Sequence, residues 1–149
     1  MKATQAGLGR VFVLRLEDGD RVPESIDRFA REHGIQRAVC TLLGSFAGGR
    51  LVSGPREPDA RPVECFVRAL EGVHESAGVG TIFPGADGAP RRHLHATLGR
   101  DDRARTGCAR EGLDVGRYGE VVILELLGPD WGRYRDADTE FELLGPKDP

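Results

Sequence analysis

A chain of 149 residues, 39% hydrophobic and 30% charged, is long enough to bury one core and has the composition of an ordinary globular protein. Its 21 basic and 24 acidic residues leave a net charge of −3, without the basic excess usual in proteins that grip phosphate backbone. The start MKATQAGLGR lacks a signal-peptide apolar run and no stretch of 18 apolar residues exists, so no membrane partner is expected.

In chain order, alternation in RVFVLRLEDGD (10–20) predicts a first strand that ends in a turn. PESIDRFAREHG (23–34) is the one convincing helix. Pro23 and Glu24 suit its first turn, Ile26, Phe29 and Ala30 form its apolar face, and His33-Gly34 stops it. His33, a potential cation at a helix C-terminus, is given a structural role. RAVCTLLGSF (37–46) reads as a buried strand with GGRLVSG (48–54) as its hairpin partner, and PREPDARP (55–62) as a loop. VECFVRALEG (63–72) and HESAGVGTIF (74–83) follow as strands, then the turn PGADGAP (84–90). RRHLHATLG (91–99), RTGCAREGLDVG (105–116) and EVVILELLG (120–128) supply later strands, and YRDADTEFELLG (134–145) a hairpin or short final strand.

One helix among about eight strands predicts an α+β fold with a largely antiparallel sheet, as a single domain over residues 1–149. Regular βαβ alternation is absent, as are GxxxxGK[ST] and a strand–GxGxxG–helix unit, which argues against a doubly wound nucleotide-binding sheet. The 21 glycines, roughly twice average usage, predict tight turns, bulges and close backbone contacts. Cys40, Cys65 and Cys108 are odd in number and form no CxxC, which predicts free thiols in a reducing cytoplasm.

Two of the four histidines stand one residue apart, His93 and His95. On a strand they project to one side, with Leu94, Ala96 and Leu98 on the other. That spacing serves a shared metal ion, and it equally serves a solvated strand face. A hairpin through GRDDRAR would bring Cys108, in TGCAREG, beside the pair, and two imidazoles with a thiolate make an acceptable zinc shell. The alternative for Cys108 is a small buried residue that only packs. His74, Glu75 and Glu111 are further candidates that could approach across the sheet.

The order of these segments resembles the PPC (plant and prokaryote conserved) domain family. PESIDRFAREHGIQRAVCTLLGSF is similar to its helix–strand opening, and GTIFPGADGAPRRHLHATLGRDD to its glycine, acidic turn and H-x-H strand. TGCAREGLDVGRYGEVVILEL resembles its Gly-Gly-His/Cys segment with the apolar strand that follows, and YRDADTEFELL its closing turn and last strand. The resemblance spans about residues 8–145. It implies an α+β domain assembled as a homotrimer. For prokaryotic members it implies a metal, usually taken as zinc, which here would be held by His93, His95 and Cys108. The third position is often histidine in the family, and a thiolate there favours zinc over hard, oxygen-preferring metals. In plants the domain follows AT-hooks, which this chain lacks, and stand-alone prokaryotic members are called DNA-binding by that association.

Three functions follow. The leading one is a metal-binding homotrimer with a DNA-associated regulatory role. Residues 91–117 hold seven arginines (91, 92, 100, 103, 105, 110, 117) against four acids (101, 102, 111, 114), a local +3, although alternating Arg and Asp also suit a solvated turn. The alternative is a zinc-dependent hydrolase or lyase using metal-bound water, with Glu75 or Glu111 as general base. The third is a trimeric interaction or ligand-sensing module, for which the glycine-rich strands ESAGVGTIF and TLLGSFAGG would allow close packing.

Overall fold

Period-two alternation sorts the side chains of most strands onto two faces, and the helix covers one of them. The structure, a computed structural model, describes residues 1–147. In order these form β1 (Gly7–Glu17), α1 (Val22–Glu32), β2 (Ala38–Pro55), β3 (Cys65–Ala69), β4 (His74–Pro84), β5 (Pro90–Arg100), β6 (Arg103–Cys108), β7 (Leu113–Leu127), β8 (Trp131–Arg135) and β9 (Glu142–Pro146). Seven strands make one antiparallel sheet in the order β1-β7-β2-β4-β5-β6, with β3 added on β2, while β8 and β9 pair separately. The expected α+β class, with one helix and a mostly antiparallel sheet, is what forms.

On the covered face Leu16, Val121, Ile123, Cys40, Leu42, Leu94, Ala96 and Leu98 are all buried, and Val22, Ile26 and Ala30 of α1 lie in the same core. Pro23 pre-sets the first helical turn, and Arg21 pairs with Glu24 at 3.1 Å. The helix ends at His33, whose ring stacks on Phe29 at 3.9 Å between centroids. Asp27 on the helix meets Arg92 of β5 at 3.5 Å and ties the two elements together. Burial pushes the Cys40 thiol up to about 11, so it stays protonated in this core. The opposite face has no helix over it, and there Val11, Val13, Leu43 and Val79 are each more than half exposed.

Two expected boundaries are corrected. Residues 37–54 do not fold into a hairpin: β2 is one strand of 18 residues that bends where the turn was expected. Its register against β7 slips between Gly44 and Gly48, and Gly44 and Gly49 take φ of 138° and 110°. The glycines therefore kink the strand without reversing it, as bulges do. Residues 105–116 are not one strand either. β6 stops at Cys108, Gly112 N–H donates to Ala109 O across a turn, and β7 runs unbroken from Leu113 through the segment expected as a separate strand. Gly112, with φ of 98°, makes that reversal possible.

The bend in β2 lets one strand serve two sets of neighbours. Its first half pairs with β4 and β7 (Cys40 opposite Gly80 and Ile123), and its second half pairs with β3 (Val52 opposite Val67). Beyond the bend it meets β6, with Val52 opposite Cys108, so β2, β4, β5 and β6 close into a ring. Gly107 makes the approach possible: a Cβ there would stand 2.7 Å from Val52 O. At the far edge, Arg10 Nε and Nη2 donate to the Glu125 carboxylate at 2.7 and 2.6 Å across a bulge, pinning β1 to β7. That guanidinium pulls the Glu125 carboxyl down to about 2.

Gly107→Ala should therefore force β6 off β2. Urea denaturation is expected to show a loss of about 1–3 kcal/mol, the usual cost of overpacking, and an unchanged midpoint would contradict the closure.

Candidate metal centre

The alternation that buries Leu94, Ala96 and Leu98 at 3%, 1% and 0% exposure turns His93, His95 and Thr97 to the open face of β5. The turn to β6 is tighter than expected, with only Asp101 and Asp102 between the strands and Asp101 at φ 56°. A turn of that length sets the register so that Cys108 stands directly opposite His95. The closure onto β2 then buries Cys108 to 8% exposure.

The two imidazoles meet edge-on, with planes 85° apart and Nε2 atoms separated by 3.1 Å. The ligand atoms of His93, His95 and Cys108 all lie within 4.8 Å of one another. A tetrahedral zinc with ordinary bond lengths asks for about 3.3 Å between nitrogens and about 3.6 Å between nitrogen and sulfur. The nitrogen pair is near its required spacing, and the sulfur needs at most a shift of about 1 Å, within reach of a cysteine rotamer change. Soft thiolate and borderline imidazoles are the donor set zinc prefers. Partial burial lowers the His93 pKa first, and the positive charges of Arg133, His95 and Arg110 lower it further. A neutral imidazole, the form with a free lone pair, is thereby favoured.

The other candidates fall elsewhere. His74 lies opposite Phe46 and its Nδ1 contacts Gly72 O, five residues along β4 from the position facing His95. Glu75 accepts a hydrogen bond from Ser45 Oγ at 2.9 Å. Glu111 belongs to the turn after β6, where its carbonyl accepts from Arg21. Among the described residues, His93, His95 and Cys108 are the one cluster of three metal-ligating side chains. All three cysteines are free.

A cavity of about 650 Å³ opens over the cluster, walled on its far side by the β8–β9 hairpin. Besides the three candidate ligands, its lining includes Arg133, Phe141, Glu142 and Leu144. Arg133 is only 5% exposed. Its Nη2 donates to Thr81 Oγ1 at 2.7 Å, Nε has no partner, and burial lowers the guanidinium pKa. Sequence reasoning missed Arg133. It expected a hairpin or short final strand over 134–145, beginning three residues after the start of β8, and nothing local shows that WGRYR folds back beside β4. The contact is a long-range bridge between Gly85 and Arg133.

The arginines of 91–117 are largely engaged. Arg91 pairs with Asp87 at 2.7 Å, Arg92 with Asp27 at 3.5 Å and Arg103 with Asp102 at 3.8 Å, while Arg100 donates to Glu71 O at 2.6 Å. No helix among the described residues is long and apolar enough to cross a membrane.

Comparison with solved structures places the fold among proteins of archaea and bacteria. The metal-containing protein AF0104 from Archaeoglobus fulgidus superimposes with a TM-score of 0.84 at 26% identity, over 96% of this chain and 98% of that one. A plant- and prokaryote-conserved (PPC) protein of Pyrococcus horikoshii gives 0.82 at 22% identity, over 99% of each chain. A protein of Ralstonia eutropha JMP134, described as a "Putative DNA-binding protein", gives 0.76 at 20% identity over 91% and 90%. No curated protein matches the chain. The Plants and Prokaryotes Conserved (PCC) domain model matches residues 3–127, from β1 to the end of β7, and the chain belongs to that family.

Proposed function

We propose that this protein is a self-associating zinc-binding member of its family, with His93, His95 and Cys108 as the protein ligands. The observation that carries the reading is the convergence of two imidazole nitrogens 3.1 Å apart with a buried thiol of the adjacent strand. The similarity to the metal-containing protein of A. fulgidus supports it. A three-ligand shell leaves a fourth position for water or a bound group, and zinc there would act as a Lewis acid. The chain's own contribution is to hold the donors on a rigid hairpin and to wall the site with β8 and β9. For the zinc-enzyme alternative, neither Glu75 nor Glu111 serves as base, and Glu142 is a carboxylate of the cavity wall.

Self-association draws on the open sheet face. Val13, Val79, Leu43 and Val11, at 79%, 58%, 54% and 53% exposure, lie on neighbouring strands with half-buried Val39, Val122 and Leu124 between them. A contiguous apolar surface of this kind marks an interface. A homotrimer is the assembly we assign to it, following the family resemblance. The DNA-associated role is the weaker reading, because four of the seven arginines near the site already have partners and the net charge is −3.

Metal content decides the first point. Protein dialysed after purification should carry about one zinc per chain, and His93→Ala or Cys108→Ser should weaken binding by about tenfold or more. Cobalt in place of zinc should give a sulfur-to-metal charge-transfer band that Cys108→Ser removes. Equal zinc in the variants would discard the ligand set. For assembly, sedimentation should give a trimer for the wild type and a monomer for Val79→Asp. A wild-type monomer would remove the interface. For the DNA role, titration with random duplex should show no salt-sensitive binding below roughly 10 μM, a concentration at which nonspecific binders already associate; tighter, salt-dependent binding would restore it.

A further inference from the structure

We propose that the cavity over the zinc site binds a small organic carboxylate, with its charged head against Arg133 and its apolar body against the β8–β9 wall. This deepens the zinc reading, which it uses for a second anchor, but its primary anchor is the arginine.

Arg133 is the reason. A guanidinium withdrawn from water is costly unless an anion compensates it. This one is only 5% exposed, lines the cavity, and forms no ion pair within 4 Å among the described residues. Among the described residues its side chain has one hydrogen-bond partner, the neutral Thr81 hydroxyl, and its Nε has none. The other arginine with a buried unpartnered nitrogen among the described residues, Arg92, does not compare, because it has Asp27 at 3.5 Å. Arg133 is held where it is by backbone, through the bridge to Gly85 and through Gly132, where a Cβ would stand 2.7 Å from Pro84 O. Glu142, on the paired strand of the same hairpin, favours the charged guanidinium from a distance but does not form a salt bridge with it.

The cavity's other features select the class of anion. Arg110 stands at the wall, its guanidinium 6.0 Å over the Phe141 ring, and adds a second positive charge. Two imidazoles and a thiol face the same space, and a carboxylate oxygen is a ready fourth ligand for zinc. Phe141, Leu143, Leu144 and Val52 give the lining its apolar part, while the charged side chains Arg92, Glu140 and Glu142 also border it. A volume of about 650 Å³ is that of a small-molecule site and exceeds what a bare inorganic anion fills. A carboxylate on a compact apolar body satisfies all of these at once.

Isothermal titration with 3-phenylpropionate, 3-phenyl-1-propanol and inorganic phosphate, each against zinc-loaded and chelator-treated protein, tests this. The carboxylate should bind the zinc-loaded protein at least about tenfold more tightly than the alcohol or phosphate, as expected of a charge-assisted contact with a matched apolar pocket. Arg133→Lys keeps the charge but replaces the planar fork that grips a carboxylate bidentately with a single ammonium. It should weaken carboxylate binding by about tenfold while zinc content stays that of the wild type. If Arg133→Gln is also folded, it should abolish carboxylate binding. Carboxylate and alcohol binding equally, phosphate binding as tightly as the carboxylate, or Arg133→Lys binding like wild type would each overturn the proposal. Zinc present with no carboxylate binding overturns it and leaves the metal reading standing. Carboxylate binding that depends on Arg133 in a protein that never takes up zinc supports it and removes the metal reading.

Discussion

The closure of β6 onto the far half of β2 is the contact on which the site depends. A flat sheet in the order β2-β4-β5-β6 would leave Cys108 on an exposed edge strand, next to His95 but open to water on its other side. Because β2 bends at Gly44–Gly49 and returns to meet β6 at Val52, that edge is paired and Cys108 is buried. The contact is tolerated only because Gly107 has no Cβ to strike Val52 O. Burying a thiol beside two half-exposed imidazoles produces a cluster with one dry side and one open side. That is the form of a site that holds something and keeps a position free.

The sheet's two faces divide the remaining work. α1 covers one face, and the core there is continuous from Leu16 to Leu98. The other face receives only the β8–β9 hairpin, at the end that carries the histidines. Beyond the hairpin it is apolar and uncovered, from Val13 on β1 to Val79 directly opposite His95, the most exposed of its valines. The cluster therefore sits where three things meet: a paired sheet edge, a two-stranded wall and an apolar face suited to another subunit. Its donors come from adjacent strands, which hold geometry better than loops do.

Local and short-range features were legible in the sequence. Pro23, Glu24 and the apolar triplet Ile26, Phe29 and Ala30 marked the helix, and alternation through His93-Leu94-His95 assigned the histidines to one face. The position of Cys108 beside them needed only a hairpin between two strands. What was not legible depended on distance along the chain. Gly48-Gly49 looks like a turn, and whether a glycine pair reverses a strand or bends it is decided by partners on β6 and β7 that lie more than 50 residues away. The same holds for Ala109–Gly112, where an apparently continuous strand breaks because its two halves pair with different neighbours, β5 and the bend of β2. Arg133 was invisible for that reason too. As one arginine among many it has no local mark, and its meaning comes from the wall it occupies.

Charge balance at that corner links the arginine to the cluster. Zinc on two neutral imidazoles and one thiolate would carry a net +1, and Arg92, Arg110 and Arg133 line the same cavity against Glu140 and Glu142. In a low-dielectric cavity like charges repel strongly, so a dication and a buried guanidinium in one pocket destabilise each other unless an anion lies between them. The same repulsion is already visible without metal, since Arg133 and Arg110 both act to keep His93 uncharged. An arrangement that leaves a buried guanidinium without an ion pair is unfavourable for the empty pocket and favourable for one that holds an anion. The unpaired cation is therefore better explained as part of the ligand's site than as a support for the fold, which neutral residues at position 133 would serve with less penalty.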